Sequence, residues 1–174
     1  LGLTYEIGKL SLAGIVERFD NKSEEDKNKA TMVYSLSATY DFEVAKAFFG
    51  YQYANRFHSL DQLEDVWVSG KGMNQNAFTL GAEVPAAGGT FKVAANYGFG
   101  KVKSADGVVV DDTKLSNDKF NRFTVGAAYE YPLSKRTFVY GWGAYATAGK
   151  MFKEKAVEEN FKSWSLGLGL HHNF

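Results

Sequence analysis

The residue types that could support covalent catalysis come together in one short stretch. HSLD holds His58, Ser59 and Asp61, which are the residue types of a hydrolase triad. A triad is defined by the spatial roles of its members, and near neighbours in one polar stretch rarely reach that geometry. The pattern therefore favours a loop at the protein surface. We predict no catalytic residue and no enzyme.

A phosphate-binding loop is not supported either. Gly98 and Gly100 make a Gly-x-Gly in the stretch GFGK, but the stretch alternates like a strand and no helix is predicted after it. We expect these glycines to allow close packing, or to give room to a neighbouring aromatic ring.

Metal ligands are equally scarce. The chain has no Cys, which excludes disulfides and thiolate ligands. His171 and His172 are adjacent on a predicted strand, so they point to opposite faces and cannot bind one metal together. They are expected to be interface residues. Loops that mix Lys and Asp are usually solvated. We predict no metal and no cofactor, although the long loops carry carboxylates at Asp106, Asp111, Asp112 and Asp118.

The composition narrows the class of protein. The 174 residues are enough for one domain, and 20 basic residues balance 20 acidic ones, which argues against nucleic acid as a partner. Many aromatic residues and 18 Gly, with only 2 Pro, favour β-strands. No apolar run approaches the roughly 18 residues of a membrane-spanning helix, a test that leaves a β-barrel open.

Strict alternation of apolar residues with small or polar ones predicts nine strands. It is clearest near the end of the chain, where Trp164, Leu166, Leu168 and Leu170 alternate with Ser and Gly. The predicted strands cover residues 1–5, 9–19, 31–42, 44–56, 76–84, 90–101, 119–131, 136–148 and 163–174.

The connections alternate between short and long. The short ones are 6–9, 41–43, 85–89 and 132–135, and the long, polar ones are 20–30, 57–75, 102–118 and 149–161. Tight turns at one end and long loops at the other predict an antiparallel up-and-down arrangement.

The apolar face of these strands is continuous, whereas the other face holds Gly, Ser, Thr, Asn, Lys and Glu. A soluble barrel would bury the apolar face, but the polar one would make a poor dry core. We therefore predict a transmembrane barrel with its apolar face toward lipid, including Trp142. Aromatic residues near the short turns are predicted to form a girdle at the membrane interface: Tyr40, Phe42, Phe91, Tyr129, Tyr131, Phe138 and Tyr140.

The opposite face would then line an aqueous lumen. Charged side chains in such a bore set the field that a passing ion experiences, although they could also serve only to hydrate the wall. The predicted lining residues are Lys46, Gln52, Glu83, Lys92, Asn96, Arg122 and Glu130.

Two stretches resemble a known family. AAYEYPLSKRTFVYGWGAY at 127–145 is similar to the penultimate hairpin of Gram-negative general porins of the beta-proteobacterial and neisserial type. The ending GLGLHHNF is similar to that family's terminal signature, and KLSLAGIV fits more weakly. The resemblance implies a homotrimer in the Gram-negative outer membrane, in contact with lipid and lipopolysaccharide. It also implies that Phe174 is a signal read by the barrel-assembly machinery.

The chain is shorter than a general porin of about 16 strands. Nine strands would place Leu1 on the long-loop side, so we interpret residues 1–174 as one barrel domain forming the C-terminal part of a longer porin. Alternatively, residues 1–8 are a leader and 9–174 close an eight-stranded barrel. Ser163, Gly167 and Gly169 are too small to fill that narrow bore, which favours the wider barrel.

The predicted function is passive diffusion of small hydrophilic solutes and ions through a water-filled channel. The alternative is a small closed barrel that acts as an anchor, adhesin or enzyme without an open pore. A soluble ligand-binding barrel is a third interpretation.

Overall fold

The computed structural model describes residues 1–20, 30–58, 68, 71–103, 107–110, 112–157 and 161–173. These residues form one nine-stranded antiparallel sheet, a two-strand hairpin between long strands, and a single turn of 3₁₀ helix at Met151–Lys153. All nine predicted strands are present, and the prediction of an all-β up-and-down fold is confirmed. None of the helices in the described ranges is long and apolar enough to cross a membrane.

The strands follow one another in the sheet as they do in the chain, and the small hairpin of β7 and β8 stands apart. Apart from β1 and the hairpin, the strands have 10 to 16 residues, which is enough to cross a bilayer at a tilt of about 45°. The strands are β1 (Gly2–Ile7), β2 (Leu10–Phe19), β3 (Thr31–Asp41), β4 (Lys46–Phe57), β5 (Met73–Ala86), β6 (Gly89–Val102), β7 (Val109–Val110), β8 (Thr113–Lys114), β9 (Lys119–Ser134), β10 (Thr137–Lys150) and β11 (Lys162–His172).

The short turns are tighter than the sequence suggested. Only Ala87 and Gly88 connect β5 to β6, and both have positive φ (47° and 79°), as a two-residue hairpin turn with the favoured twist requires. The side-chain hydroxyl of Tyr129 donates hydrogen bonds to the carbonyl oxygens of Ala86 (2.9 Å) and Ala87 (3.0 Å) and so fixes this turn. Pro132 lies inside β9 at a register irregularity opposite Phe138, where its missing N–H disrupts the ladder least.

Cross-strand register divides the sheet into two faces, because directly paired residues point the same way. One row runs from Lys46 through Glu83 and Lys92 to Ala128, and it belongs to what we call the polar face. The next row, through Ala82, Val93 and Ala127, belongs to the apolar face. Large side chains on the apolar face are strongly exposed, such as Leu80 (62%) and Leu168 (91%). A sheet that exposes its apolar face needs an apolar surrounding.

One strand was assigned to the wrong face. The even-numbered residues of β10 lie on the polar face, since Tyr140 pairs with Glu130 and Trp142 pairs with Ala128. Phe138 follows the same parity, so these three aromatics do not face lipid. The other residues predicted for the girdle that lie within strands do occupy the apolar face near the short turns: Tyr40, Phe91, Tyr129 and Tyr131.

The physical reason is size matching between β10 and β11. On the apolar face, Gly141 and Gly143 lie beside Leu168 and Leu166, whose side chains fill the space that the glycines leave. On the polar face the large residues are those of β10 and the small ones those of β11, because the aromatic residues of β10 cover Gly167 and Gly169. Hydrophobicity within β10 alone cannot reveal this pairing. The covered glycines also remove the argument that their small size excludes a narrow barrel.

The only sizeable buried core in the described part of the chain lies at the long-loop end. Met73, Val102, Phe120 and Ala148 contribute to it from the polar face of four strands, and loop residues pack on top of them. We call this group the loop cluster; its loop members are Val68, Val108, Leu115, Met151 and Phe152. The loops therefore fold back over the polar face at that end.

The loop cluster is reinforced by a polar contact between two connections. The backbone N–H of Ser116 donates to one carboxylate oxygen of Glu154 (2.7 Å), and the Ser116 hydroxyl lies 3.0 Å from the other. One carboxylate thus ties the β8–β9 connection to the β10–β11 connection.

The first strand is part of the sheet. β1 pairs with β2 over six residues, from Gly2 opposite Ile15 to Ile7 opposite Leu10. The alternative in which residues 1–8 are a leader and the rest closes an eight-stranded barrel is therefore wrong. Within the described ranges β1 and β11 are the two edges of the sheet and do not pair with each other.

Candidate channel-lining surface

All seven predicted lining residues lie on the polar face. Lys46 and Gln52 come from β4, and Glu83 comes from β5. Two further strands supply the rest: Lys92, Asn96, Arg122 and Glu130. The register gathers the charged residues except Arg122 near the short turns, places Arg122 toward the long loops, and leaves neutral hydrogen-bonding residues between them.

The group near the short turns is a row of alternating charges. Lys92 Nζ lies 2.9 Å from a carboxylate oxygen of Glu130 and 3.7 Å from one of Glu83. At the other end of the row, Lys46 Nζ lies 3.6 Å from a carboxylate oxygen of Asp41. We call these five residues the ion-pair row. The row holds two ammonium groups and three carboxylates, so one negative charge is left over, but each carboxylate lies within 4 Å of an ammonium group.

Asp41 was not among the predicted lining residues. The sequence placed it at the start of a short turn, but β3 includes it and pairs it directly with Lys46. The sequence could have revealed this position of Asp41, because Asp41 continues the alternation of Ser37 and Thr39, which also belong to the polar face.

Neutral side chains occupy the middle of the surface. The amide of Asn96 donates to the Thr79 hydroxyl (2.8 Å) across the β5–β6 pair. The amide of Gln52 donates in the same way to the Ser35 hydroxyl (3.2 Å) across the β3–β4 pair. These bonds link polar side chains of neighbouring strands on the polar face.

Arg122 is electrostatically different from Lys92. It sits opposite Gly98 and Ala148, two residues from Phe120 of the loop cluster. Among the described residues it makes no salt bridge, and its Nε is buried without a hydrogen-bond partner. Within the described ranges no carboxylate therefore neutralises its charge, unlike the charges of the ion-pair row.

A shallow hollow of about 550 Å³ lies on the polar face. Its floor is made of small residues from four neighbouring strands: Gly81, Ala94, Gly126 and Ala144. Phe48 and Trp142 border it on opposite sides. Sequence reasoning missed both, because Phe48 interrupts the alternation of β4 and Trp142 was assigned to lipid.

The glycine and histidine motifs have structural roles. The expectation that Gly98 and Gly100 allow close packing is confirmed, because Gln75 lies against Gly98 and the ring of Phe120 lies across Gly100. His171 and His172 do point to opposite faces. The first stacks on Phe138 with ring centroids 4.8 Å apart, and the second lies 2.8 Å from the Thr137 hydroxyl.

The HSLD stretch does not form a surface loop at its first residue. His58 is only 3% exposed, and its Nδ1 lies 2.6 Å from the Val68 carbonyl oxygen. Gly72 packs directly against it with φ of 59°, where a side chain would collide with the imidazole. His58 is thus buried under the long loops. Ser59 and Asp61 lie outside the described residues.

The predicted loop carboxylates and the predicted assembly signal lie only partly within the described residues. Within the ranges that the structure describes, no group of three His, Asp or Glu side chains could hold a metal ion. Of the loop carboxylates, Asp106 and Asp111 lie outside those ranges, and so does Phe174, the predicted assembly signal.

The fold and this surface together define a class of protein. An antiparallel meander with an exposed apolar face, a polar face carrying paired charges, tight turns at one end and long loops at the other is an outer-membrane β-barrel wall. Residues 1–150 match the Gram-negative porin family, so the chain belongs to that family. Porins are channels and not enzymes, which leaves the hydrolase interpretation of His58 without support.

Two relatives extend the comparison. An outer membrane porin protein of Bordetella pertussis is 30% identical over 193 aligned residues, which cover 99% of this chain and 45% of that protein. An anion-selective porin from Comamonas acidovorans shares the fold, with a TM-score of 0.61 and 22% identity over 99% of this chain and 48% of that one. The chain spans about half the length of both relatives. Its family and its outer-membrane relative place it in the Gram-negative outer membrane.

Proposed function

We propose that this chain forms part of the wall of a water-filled channel for passive diffusion of small hydrophilic solutes and ions. One observation carries the proposal: the register places all seven predicted lining residues on the face that also holds the hollow, opposite the exposed apolar face. Transport through such a bore depends on size and charge and needs no covalent chemistry and no cofactor.

The sheet requires further strands to become a barrel. Unpaired backbone groups at a sheet edge are costly in hydrocarbon, and both β1 and β11 present such an edge. We propose that residues 1–174 belong to one barrel domain of a longer porin with about 16 strands. In that setting the proposed partners are lipid, lipopolysaccharide, the barrel-assembly machinery acting on Phe174, and two further copies in a homotrimer.

The channel proposal is tested by electrical recording on the protein at its natural full length. Purified protein reconstituted into planar bilayers is expected to produce discrete conductance steps. A folded protein that inserts but stays electrically silent would overturn the proposal and indicate a barrel without an open pore.

Arg122, which makes no salt bridge with any described residue, gives a prediction about ion preference. Replacing it by Gln (R122Q) is expected to lower the Cl⁻ to K⁺ permeability ratio about twofold, because one elementary charge about 8 Å away acts in opposite directions on the two ions, by about 0.5 kcal/mol each before salt screening. The measurement is the reversal potential of the full-length channel in a KCl gradient. The structural relative is described as anion-selective, which agrees with a role for a cation on the wall of this fold.

The matched control removes one cation and one anion of the ion-pair row together. The double variant Lys92→Met with Glu130→Gln keeps the net charge, so its permeability ratio should stay near the original value. If the double variant changes the ratio as much as R122Q does, the distinction between paired and unpaired charges is wrong.

A further inference from the structure

We propose that the polar face carries a binding site for solutes with a flat ring and polar edges, and that the indole of Trp142 is its platform. The inference rests on the proposed channel function and adds to it a preferred class of solute. A general diffusion channel needs no such site, so its presence would make passage of these solutes saturable.

Trp142 lies on the polar face, with its indole over the neighbouring strand β11. Its partners across the sheet are Ala128 on β9 and Gly167 on β11, and Ala128 is in turn the partner of Lys92. The indole lies over Gly167, where any side chain would overlap its Nε1 edge. Even so, Trp142 remains 40% exposed. The ring is therefore supported by the backbone on one side and accessible on the polar face.

The wall beside the indole is free of bulky groups. The hollow of about 550 Å³ that Trp142 borders has a floor of Gly81, Ala94, Gly126 and Ala144. A volume in this range suits a small ligand. Because these residues end at or before Cβ, a ring next to the indole can approach the backbone of the sheet closely.

Polar groups flank the same hollow at both ends. Toward the long loops it is lined by Thr79, Asn96 and Thr124, which occupy one rung of the sheet. Toward the short turns it is lined by Lys92 and Glu83 of the ion-pair row. A ring can stack on the aromatic side chain while donors and acceptors at its edge reach these groups. Flat aromatic solutes and pyranose sugars share this chemistry.

The experiment uses the full-length porin in planar bilayers, with three neutral probes added at rising concentration. Adenosine supplies an aromatic ring, glucose supplies a pyranose ring, and sorbitol is the open-chain counterpart of glucose. We expect adenosine, glucose or both to reduce the ion current with saturation, and which one does so identifies the ring. Sorbitol should reduce the current only in proportion to the viscosity of the solution.

Variants then assign the site to the indole. Trp142→Leu keeps the apolar bulk but removes the ring, and it should raise the half-saturating concentration about tenfold. Trp142→Phe keeps a ring and should retain most of the binding. Trp164→Leu makes the same exchange on the apolar face of β11, where Trp164 is 74% exposed, and should leave the half-saturating concentration unchanged.

The possible failures can be separated. Absence of conductance steps would defeat the channel proposal. Normal steps without saturable block by either ring solute, or equal half-saturation for the original protein and Trp142→Leu, would overturn the binding site while leaving the channel intact. An equal shift in Trp164→Leu would also overturn it, because that side chain lies on the other face. Discrete conductance steps in Trp142→Leu and Trp142→Phe verify that both variants fold and insert.

Discussion

Lysine in place of Ala95 is expected to cost the folded protein about 2–4 kcal/mol in a bilayer, whereas lysine in place of its neighbour Ala94 should cost little. The two alanines are adjacent in the middle of β6, but they face opposite ways. Ala95 pairs with Leu80 and Val125 on the apolar face. Ala94 pairs with Gly81 and Gly126 on the polar face. An ammonium group at position 95 would sit near the mid-plane of the hydrocarbon, where no water solvates it.

The measurement is a denaturant titration of the full-length protein folded into lipid vesicles. The pair is well matched, because both variants start from alanine, introduce the same side chain and lie one residue apart. Ala94→Lys should also reduce unitary conductance, since its side chain enters the hollow, and shift the permeability ratio toward Cl⁻. Equal losses of stability, or a larger loss for Ala94→Lys, would show that the two faces have been assigned the wrong way round.

Much of the fold was predictable because the constraint of lipid is local. Period-two alternation identified all nine strands, and it placed the face correctly wherever one parity was clearly more apolar, as in β6 and β11. The same rule selected the seven predicted lining residues, all of which lie on the polar face, without any knowledge of neighbouring strands. Each of these inferences needed only the residues of a single strand.

The errors arose where the answer depended on a second segment. In β10 the even-numbered positions carry aromatic residues, and the odd-numbered positions carry Val139, Gly141 and Tyr145. The composition of this strand alone therefore did not show which side faces lipid. The glycines of β11 decide it, through the space they leave for the neighbouring side chains. Likewise, the loop cluster depends on contacts between distant connections, and His58 contacts Val68 and Gly72 within its own connection; no periodicity records either.

The same size matching gives the second large prediction. Gly167→Val should destabilise the protein by about 1–3 kcal/mol, because the new side chain would occupy space now filled by the Trp142 indole. In a Trp142→Ala background the same substitution should cost much less, since the indole is gone. The difference between the two effects is the coupling energy of a double-mutant cycle, and it should be a large part of the loss seen in the single variant.

The cycle is measured as unfolding free energies of four full-length proteins in lipid vesicles. Ser165→Val is the control, because Ser165 lies on the same face of β11 but pairs with the small Ala144, so a valine there meets no large neighbour. Equal costs of Gly167→Val in both backgrounds would mean that Trp142 does not cover Gly167 and faces lipid instead. That result would restore the assignment made from hydrophobicity alone and would remove the platform on which the ring-binding site depends. A strong coupling with an undisturbed control would instead establish, without ligands or current recordings, that the indole lies on the polar face.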